Sequence, residues 1–471
     1  VSANEIGAGP DPPRQPRHLG AGAALSVAAD VGTLVAAAVV SVVLARNIGP
    51  SANGTYSLIL VLVNVAALVA SLGLAAGITY GVSHGRWPLR DAVRAALRCA
   101  FALGLIGTAA SLGFYLVTEH SAMRHVAPHL ALIALPMIPA ALAWQFATAI
   151  LLGRDRYEGY TALLLINAAA TLFLTTGLAL AFGLTGAVIG VLATSWLTAI
   201  IGTWQLRRMI REEGERSEPQ DRDALHLRGA VRFGLQAWIA NIIQQANYRF
   251  DLLVLGGYAA ASHIGVYSVA VTITAIAWVL PHGLQTVLFP RTASLDSAVK
   301  AGELEAAESD AAAARATRHS VLLVVPAGAI VAALLGLVPL VYGTKFTDTV
   351  WLGFVLLPGV LALGVGKVLG SVVTGRGGPR YMLYSAGLGA VLTLALYFTL
   401  IPPYHEWGAA AASTFSYAFT TCLVVVYFRR VAAIPLRAAL LPTRADLHDY
   451  SAALSSLRMH LYARRAARQS A

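Results

Sequence analysis

Four ionisable residues stand inside long apolar runs: Asp30, Arg249, Asp251 and Lys367. A charge in the middle of a membrane span costs about 3 kcal/mol on insertion scales, so such residues face a bundle interior or a wet cavity. An arginine there can hold a phosphate through two parallel N–H donors. The alternative for Arg249 is an ion pair with Asp251 or Asp30 that only packs helices together. Arg249 and Asp251 lie two residues apart and do not share a helical face. Either acid could take up a proton or Na+ as a coupling ion, and Asp30 could equally serve as a counter-ion to Arg249. Lys367 lies near one end of its run, where it can snorkel or meet an anionic ligand.

Beside these charges runs a polar stripe. Asn241, Gln244, Gln245 and Tyr248 follow i, i+3, i+4, i+7 spacing and share one helical face. Hydroxyl-rich ligands need amide partners, so the stripe fits a sugar-lined cavity; hydrogen bonds between helices are the plainer alternative. Motifs for other chemistry are missing. There is no GxxxxGK[ST] loop, and Gly366-Lys367-Val368 has neither its spacing nor its hydroxyl. HExxH and CxxC are absent. Cys99 and Cys422, the 2 cysteines, make no disulfide framework or metal cluster. An enzyme is therefore not expected, nor is a bound cofactor. The 43 glycines are explained by close helix packing rather than by a phosphate loop.

The elements that must carry these residues are membrane helices. Of 471 residues, 57% are hydrophobic and 12% charged, against about 25% charged in soluble domains. A span needs about 20 apolar residues. Twelve spans are predicted, at 20–45, 55–83, 92–118, 129–152, 161–182, 185–206, 230–257, 265–289, 319–341, 349–373, 381–402 and 406–428. Of the 34 lysines and arginines, 29 fall in the two tails and the even-numbered loops with their flanking turns, 3 in the odd-numbered loops, and 2 inside spans. Such a bias places both termini in the cytoplasm. It also accounts for the net charge of +11 without nucleic acid as a partner. The first apolar run is longer than the 7–15 residues of a signal core, so residues 1–19 read as a disordered cytoplasmic tail.

The two halves repeat. Gly54-Thr55-Tyr56-Ser57 matches Gly265-Val266-Tyr267-Ser268 at an offset of 211. Further on the offset is 222, pairing Pro136 with Pro358, Gly153-Arg154 with Gly375-Arg376, and Gln145 with Lys367. Gln145 thereby joins the candidate cavity residues. An even number of spans per half makes the repeat parallel, and transporters built from repeats bind substrate at the repeat interface. The expected units are a six-helix lobe over 20–217, a second over 218–430 with a linker helix at about 297–318, and a basic amphipathic tail over 431–471. In the tail, Leu447, Tyr450, Leu454, Leu457 and Leu461 form a stripe ahead of Arg464, Arg465 and Arg468. That pattern suits anionic lipid at the cytoplasmic face, or a docking helix for a polysaccharide-assembly protein.

The segment Leu44-Ala45-Arg46-Asn47-Ile48-Gly49-Pro50, continuing to Gly54-Thr55-Tyr56 and Ser71-Leu72-Gly73-Leu74, resembles the opening of polysaccharide flippases of the O-antigen and capsule type. These belong to the multidrug/oligosaccharidyl-lipid/polysaccharide exporter superfamily. Asn247-Tyr248-Arg249-Phe250-Asp251, Gly265-Val266-Tyr267-Ser268 and Phe289-Pro290-Arg291 resemble the start of their second half, and the likeness extends over about 20–430. It implies an all-α membrane protein of two six-helix lobes related by a pseudo-two-fold along the membrane normal. It further implies translocation of undecaprenyl-diphosphate-linked oligosaccharide across the bacterial inner membrane by alternating access. Lipid II flippases of the superfamily usually add two helices and several cavity cations, whereas twelve spans and few such cations are read here. A cation-coupled drug or amphiphile antiporter is the other alternative, and its first-helix acid would correspond to Asp30.

Overall fold

Proline and glycine set most helix ends. Pro50, Pro128 and Pro379 sit in first turns, where a missing N–H costs nothing and the fixed φ suits a helix. A computed structural model of the chain describes residues 19–83, 87–214, 227–278, 305–376, 378–432 and 434–441, short stretches between 281 and 302, and residue 443. The side chains of residues 19–31 are not among those described, so Asp30 is placed by its helix alone.

The first span is α1 (Leu19–Ile48), and the second is α2 (Pro50–Ala70) followed by α3 (Leu74–Ser83). They break at Leu72 and Gly73, whose φ values are 48 and 70. The third is α4 (Leu89–Thr118), and α5 (Pro128–Ala134) with α6 (Met137–Gly153) makes the fourth. The fifth runs through α7 (Tyr157–Ala170), a π-turn at Thr171–Thr175 and the start of α8 (Thr176–Gly214). The chain then reverses at Gly183, φ 62, and the rest of α8 is the sixth span. The reversal brings Gly190 against the Thr175 backbone.

In the second half, α9 (Leu227–Tyr258) is the seventh span, and α10 (Ala261–Thr274) with a 3-10 turn Ala275–Trp278 belongs to the eighth. The ninth lies in α11 (Ala306–Gly336), followed by the short α12 (Val338–Tyr342), and the tenth is α13 (Thr347–Gly375). The last two form α14 (Pro379–Val431), which doubles back at His405, φ 48. The five-residue α15 (Leu436–Leu440) follows. Among the described residues, eight helical stretches are long and apolar enough to cross a membrane. Two of them, Tyr157–Glu212 and Arg380–Val431, cross twice. With α1 and α9 the spans number twelve, as expected.

Burial shows how the lobes are joined. At the face bearing the odd-numbered loops, one apolar core runs through both halves, from Leu44, Leu58 and Tyr115 to Leu255, Tyr267, Leu356 and Tyr397. Toward the opposite, basic face there are two separate cores. One gathers Ile78, Trp87, Phe146 and Leu206, the other Leu369, Val372, Val424 and Phe428. The lobes therefore share a core at one face and keep separate cores toward the other, where α3 of the first lobe packs along α9 of the second.

The seam is closest where α2 meets α10. A Cβ added at Gly54 would strike the Ala261 carbonyl, and one at Gly265 would strike the Pro50 carbonyl. These glycines are the repeat mates aligned from sequence, so the pseudo-two-fold passes between them. Asn53 Nδ2 crosses to the Gly265 carbonyl at 3.2 Å. Arg46 donates to the Val341 carbonyl at 2.6 Å and also to that of Leu340. Arg124 donates to the Ala259 carbonyl at 2.9 Å. Two of the three odd-loop cations thus cap helix-end carbonyls of the other lobe.

One expectation needs correction. The linker helix at about 297–318 is not one unit. A turn at Ala301–Gly302 interrupts it, because Gly302 takes φ 75. From Ala306 the chain runs without a break into the ninth span. Arg376 pins this portion through Asp310 at 2.6 Å, and Arg318 reaches the Ala438 carbonyl at 2.6 Å. The boundary near 217, the N-terminal tail and the tail helix after 446 lie outside the described residues.

Candidate functional site

The seventh span is polar on two adjacent faces, and each face looks onto a different space. Asn241, Gln244, Asn247 and Tyr248 of α9 line a cavity of about 650 Å3 inside the second lobe, completed by Lys367 of α13 and Arg380 of α14. Gln244 Nε2 lies 3.4 Å from the Tyr248 hydroxyl.

Gln245 and Arg249 do not line this cavity. They fall on a stripe with Trp238, Ile242 and Gly256, at steps of three, four and seven residues that return to one side of a helix. Both ends of that stripe touch the first lobe. Trp238 Nε1 donates to the Leu68 carbonyl of α2 at 2.9 Å. A Cβ at Gly256 would meet the Leu58 side chain and the Ala122 carbonyl. Between these contacts Gln245 and Arg249 are exposed, on the side of α9 that is turned toward the first lobe. Among the described residues no carboxylate pairs with Arg249.

Lys367 reaches the cavity through aromatic rings. Its Nζ lies 4.3 Å from the centre of the Trp278 ring and 5.2 Å from that of Tyr248. Tyr248, Trp278 and Tyr417 form one cluster, with centroids 5.1, 5.8 and 5.9 Å apart. Trp278 is fixed by its Nε1, which donates to the Val360 carbonyl at 2.9 Å. An ammonium over ring faces is held by about 0.5–2 kcal/mol. Among the described residues no carboxylate pairs with Lys367. It is therefore a cation held loosely in place, with its charge available to an anion.

Asp251 has a different setting. It is buried, one carboxylate oxygen accepting from the Tyr267 hydroxyl at 2.6 Å and the other from the Leu252 N–H at 2.7 Å. Ser413 links Tyr267 to Tyr397 at 3.4 and 3.1 Å, and Tyr397 donates to the Asn247 carbonyl at 3.2 Å. The side-chain oxygen of Asn247 is buried without a partner. Asp251 makes no ion pair with Arg249, so that packing alternative does not apply to these two. Gln145, the repeat mate of Lys367, is half-buried on α6 and does not line this cavity. No cluster of three metal-ligating side chains occurs among the described residues.

A family model described as "Polysaccharide biosynthesis protein" matches residues 43–351. The chain belongs to that family. Its motifs resemble those of flippases in the multidrug/oligosaccharidyl-lipid/polysaccharide exporter superfamily. A probable low-salt glycan biosynthesis flippase, Agl15, of Haloferax volcanii is 26% identical over 181 residues, 38% of this chain and 37% of that relative. The match thus spans well under half of the relative's length. A lipid II flippase, MurJ, in an inward closed conformation superposes with a TM-score of 0.65 at 13% identity, over 89% of this chain and 88% of its own. A multidrug resistance MATE family transporter in an inward-facing conformation gives 0.62 at 14%, over 85% and 95%. At such identities these likenesses establish the fold. The chain is a multi-pass membrane protein by its apolar helices, and the proteins it is similar to are flippases and transporters.

Trp278, Tyr417, Arg380 and the Tyr267–Tyr397 pair were not singled out from sequence. The contacts join residues on α9, α10, α13, α14 and the turn after α10, and spacing within one helix carries no sign of them. The one local cue is an aromatic residue at each of 248, 278 and 417 inside spans.

Proposed function

We propose that the protein translocates a lipid-linked oligosaccharide, carried on undecaprenyl diphosphate, across the bacterial cytoplasmic membrane by alternating access for surface polysaccharide assembly. The basic face is the cytoplasmic one, with both termini there. The single observation that carries this reading is Lys367 over its aromatic cage, beside the amides of Asn241 and Gln244. A diphosphate sits where lipid meets sugar, so its carrier needs a cation beside sugar-binding amides. Lys367 supplies a point charge to one phosphate. The cage releases it easily, because a cation–π contact is weak beside an ion pair. Arg249, on the face toward the other lobe, is a further cation beyond Lys367 and Arg380 of the cavity, placed to meet the substrate as the lobes move.

Asp251 serves coupling rather than substrate. It is buried one helical turn from Asn247, whose side-chain oxygen has no partner, and it accepts from Tyr267, which Ser413 links to Tyr397. Taking up a proton or Na+ there would alter the packing of α9 against α10 and α14. Asp30 is the corresponding candidate in the first lobe.

Against the drug-antiporter reading stands the lysine itself. It occupies the aromatic cage that an organic cation would need, and its charge repels one. A lipid II substrate shares the diphosphate chemistry and differs in the saccharide, so the amides are where the two readings part. The test is transport in proteoliposomes of a short-chain polyprenyl-diphosphate saccharide bearing a fluorophore. Lys367→Gln should abolish protected fluorescence while insertion and folding persist. Transport at the wild-type rate in that variant would sink the proposal.

A further inference from the structure

The geometry points to a second ligand site, for an anionic phospholipid, on the outer surface of the first lobe. A groove of about 460 Å3 runs between α4, α6 and α8 and shares no lining residue with the cavity around Lys367. Its shape follows from residue size. Ala100, Ala143, Ala199 and Pro139 leave it concave, and Phe101, Trp196, Ile200 and Trp204 stand around it. Those four large side chains are 64%, 41%, 61% and 54% exposed.

Two features fix what fills it. The first is length. From Trp196 to Arg207 is about 16 Å along the helix at 1.5 Å per residue. One leaflet of a hydrocarbon core about 30 Å thick is half of that thickness. The groove therefore reaches from headgroup level to the bilayer midplane, the depth of one acyl chain.

The second is charge. Arg207 and Arg211, one turn apart on α8, close the groove at the basic face. Glu212 is taken up by Arg208 at 2.9 Å and by Arg156 at 3.6 Å. Among the described residues no acid pairs with Arg207 or Arg211. Trp204 lies one turn inward of the arginines, at the depth where tryptophan favours the interface. A second copy of this chain, with net charge +11, would bring a like-charged face to the same mouth. A lipid phosphate brings the opposite sign on an apolar stem, and nothing else in a leaflet fits both halves of the groove.

The test uses the full chain in vesicles of phosphatidylcholine containing a graded fraction of phosphatidylglycerol, with either lipid brominated on its acyl chains. Of the 8 tryptophans, the signal from Trp196 and Trp204 is the emission lost when both are replaced by Phe. Brominated phosphatidylglycerol should quench that signal at a lower mole fraction than brominated phosphatidylcholine, by about fivefold per arginine. The pair R207Q and R211Q made together should remove the preference. The pair R429Q and R430Q, the same loss of charge on the other lobe, should keep it. Equal quenching by the two lipids in the wild type overturns the site. So does a preference that survives in the Arg207 and Arg211 variant. Relief of quenching by millimolar glycerol phosphate would make it a phosphate site and overturn the lipid assignment.

Discussion

The Lys367 ammonium stands 4.3 Å from the centre of the Trp278 ring, and the two residues come from different spans. The contact holds the cation at the cavity without neutralising it. Replacing Trp278 with Leu should leave the charge but free the side chain to wander. Half-saturation for the fluorescent polyprenyl-diphosphate saccharide should rise several-fold, with the maximal rate less affected. Lys367→Arg, with charge kept and shape changed, should retain part of the activity that Lys367→Gln loses.

Arg249 sits on the stripe of α9 that faces the first lobe, between the Trp238–Leu68 and Gly256–Leu58 contacts. Arg249→Ala should abolish surface polysaccharide in a complemented deletion strain while the protein still inserts. Arg249→Lys should restore it incompletely, since a lysine cannot grip a phosphate with two parallel donors. Normal polysaccharide with Ala at this position would remove Arg249 from the mechanism.

The seam makes a prediction about access. Gly265→Val forces a side chain against the Pro50 backbone and should hold the lobes apart at that face. A cysteine at Asn53, which is 2% exposed in the closed seam, should then react with a membrane-impermeant maleimide added outside cells, on a background lacking Cys99 and Cys422. Replacing Arg46 and Arg124 together with Ala should raise labelling more modestly, because it removes hydrogen bonds without forcing the two backbones apart.

Tyr267→Phe deletes the hydroxyl bonded to the buried Asp251 carboxylate. A hydrogen bond to a charged group contributes about 1.5–3 kcal/mol, so the melting temperature in detergent should fall by several degrees. Asp251→Asn keeps the shape and should fold, and ion-driven transport should fail in it while passive substrate binding persists. Driven transport at the wild-type rate would exclude Asp251 from coupling.

The spans were legible because charge and apolar length alternate along the chain, and the reversals near Gly183 and after Pro402 were marked by local residues. The repeat pairing of Gly54 with Gly265 was legible too, but not that the two touch, since an alignment says nothing about distance between copies. At the site, the stripe of Asn241, Gln244, Gln245 and Tyr248 reads as one face. In the fold it is divided, because the cavity takes the 241, 244 and 248 side while Gln245 turns with Arg249 toward the other lobe. The division depends on where α14 and α2 sit against α9, which no period in α9 encodes. The linker went astray over Ala301–Gly302, where a single glycine outweighs the helix-forming alanines and glutamates around it.

At Gly54 and Gly265 two backbones meet with no side chain between them. Sliding one lobe along the other would drive carbonyl into carbonyl, and no rotamer exists to make room. What the contact does permit is tilting about a point on the axis that relates the halves. A fulcrum placed there needs no lever of its own. A small change of angle at the glycines becomes a wide excursion at the far end of α3, where it now lies against α9 of the other lobe.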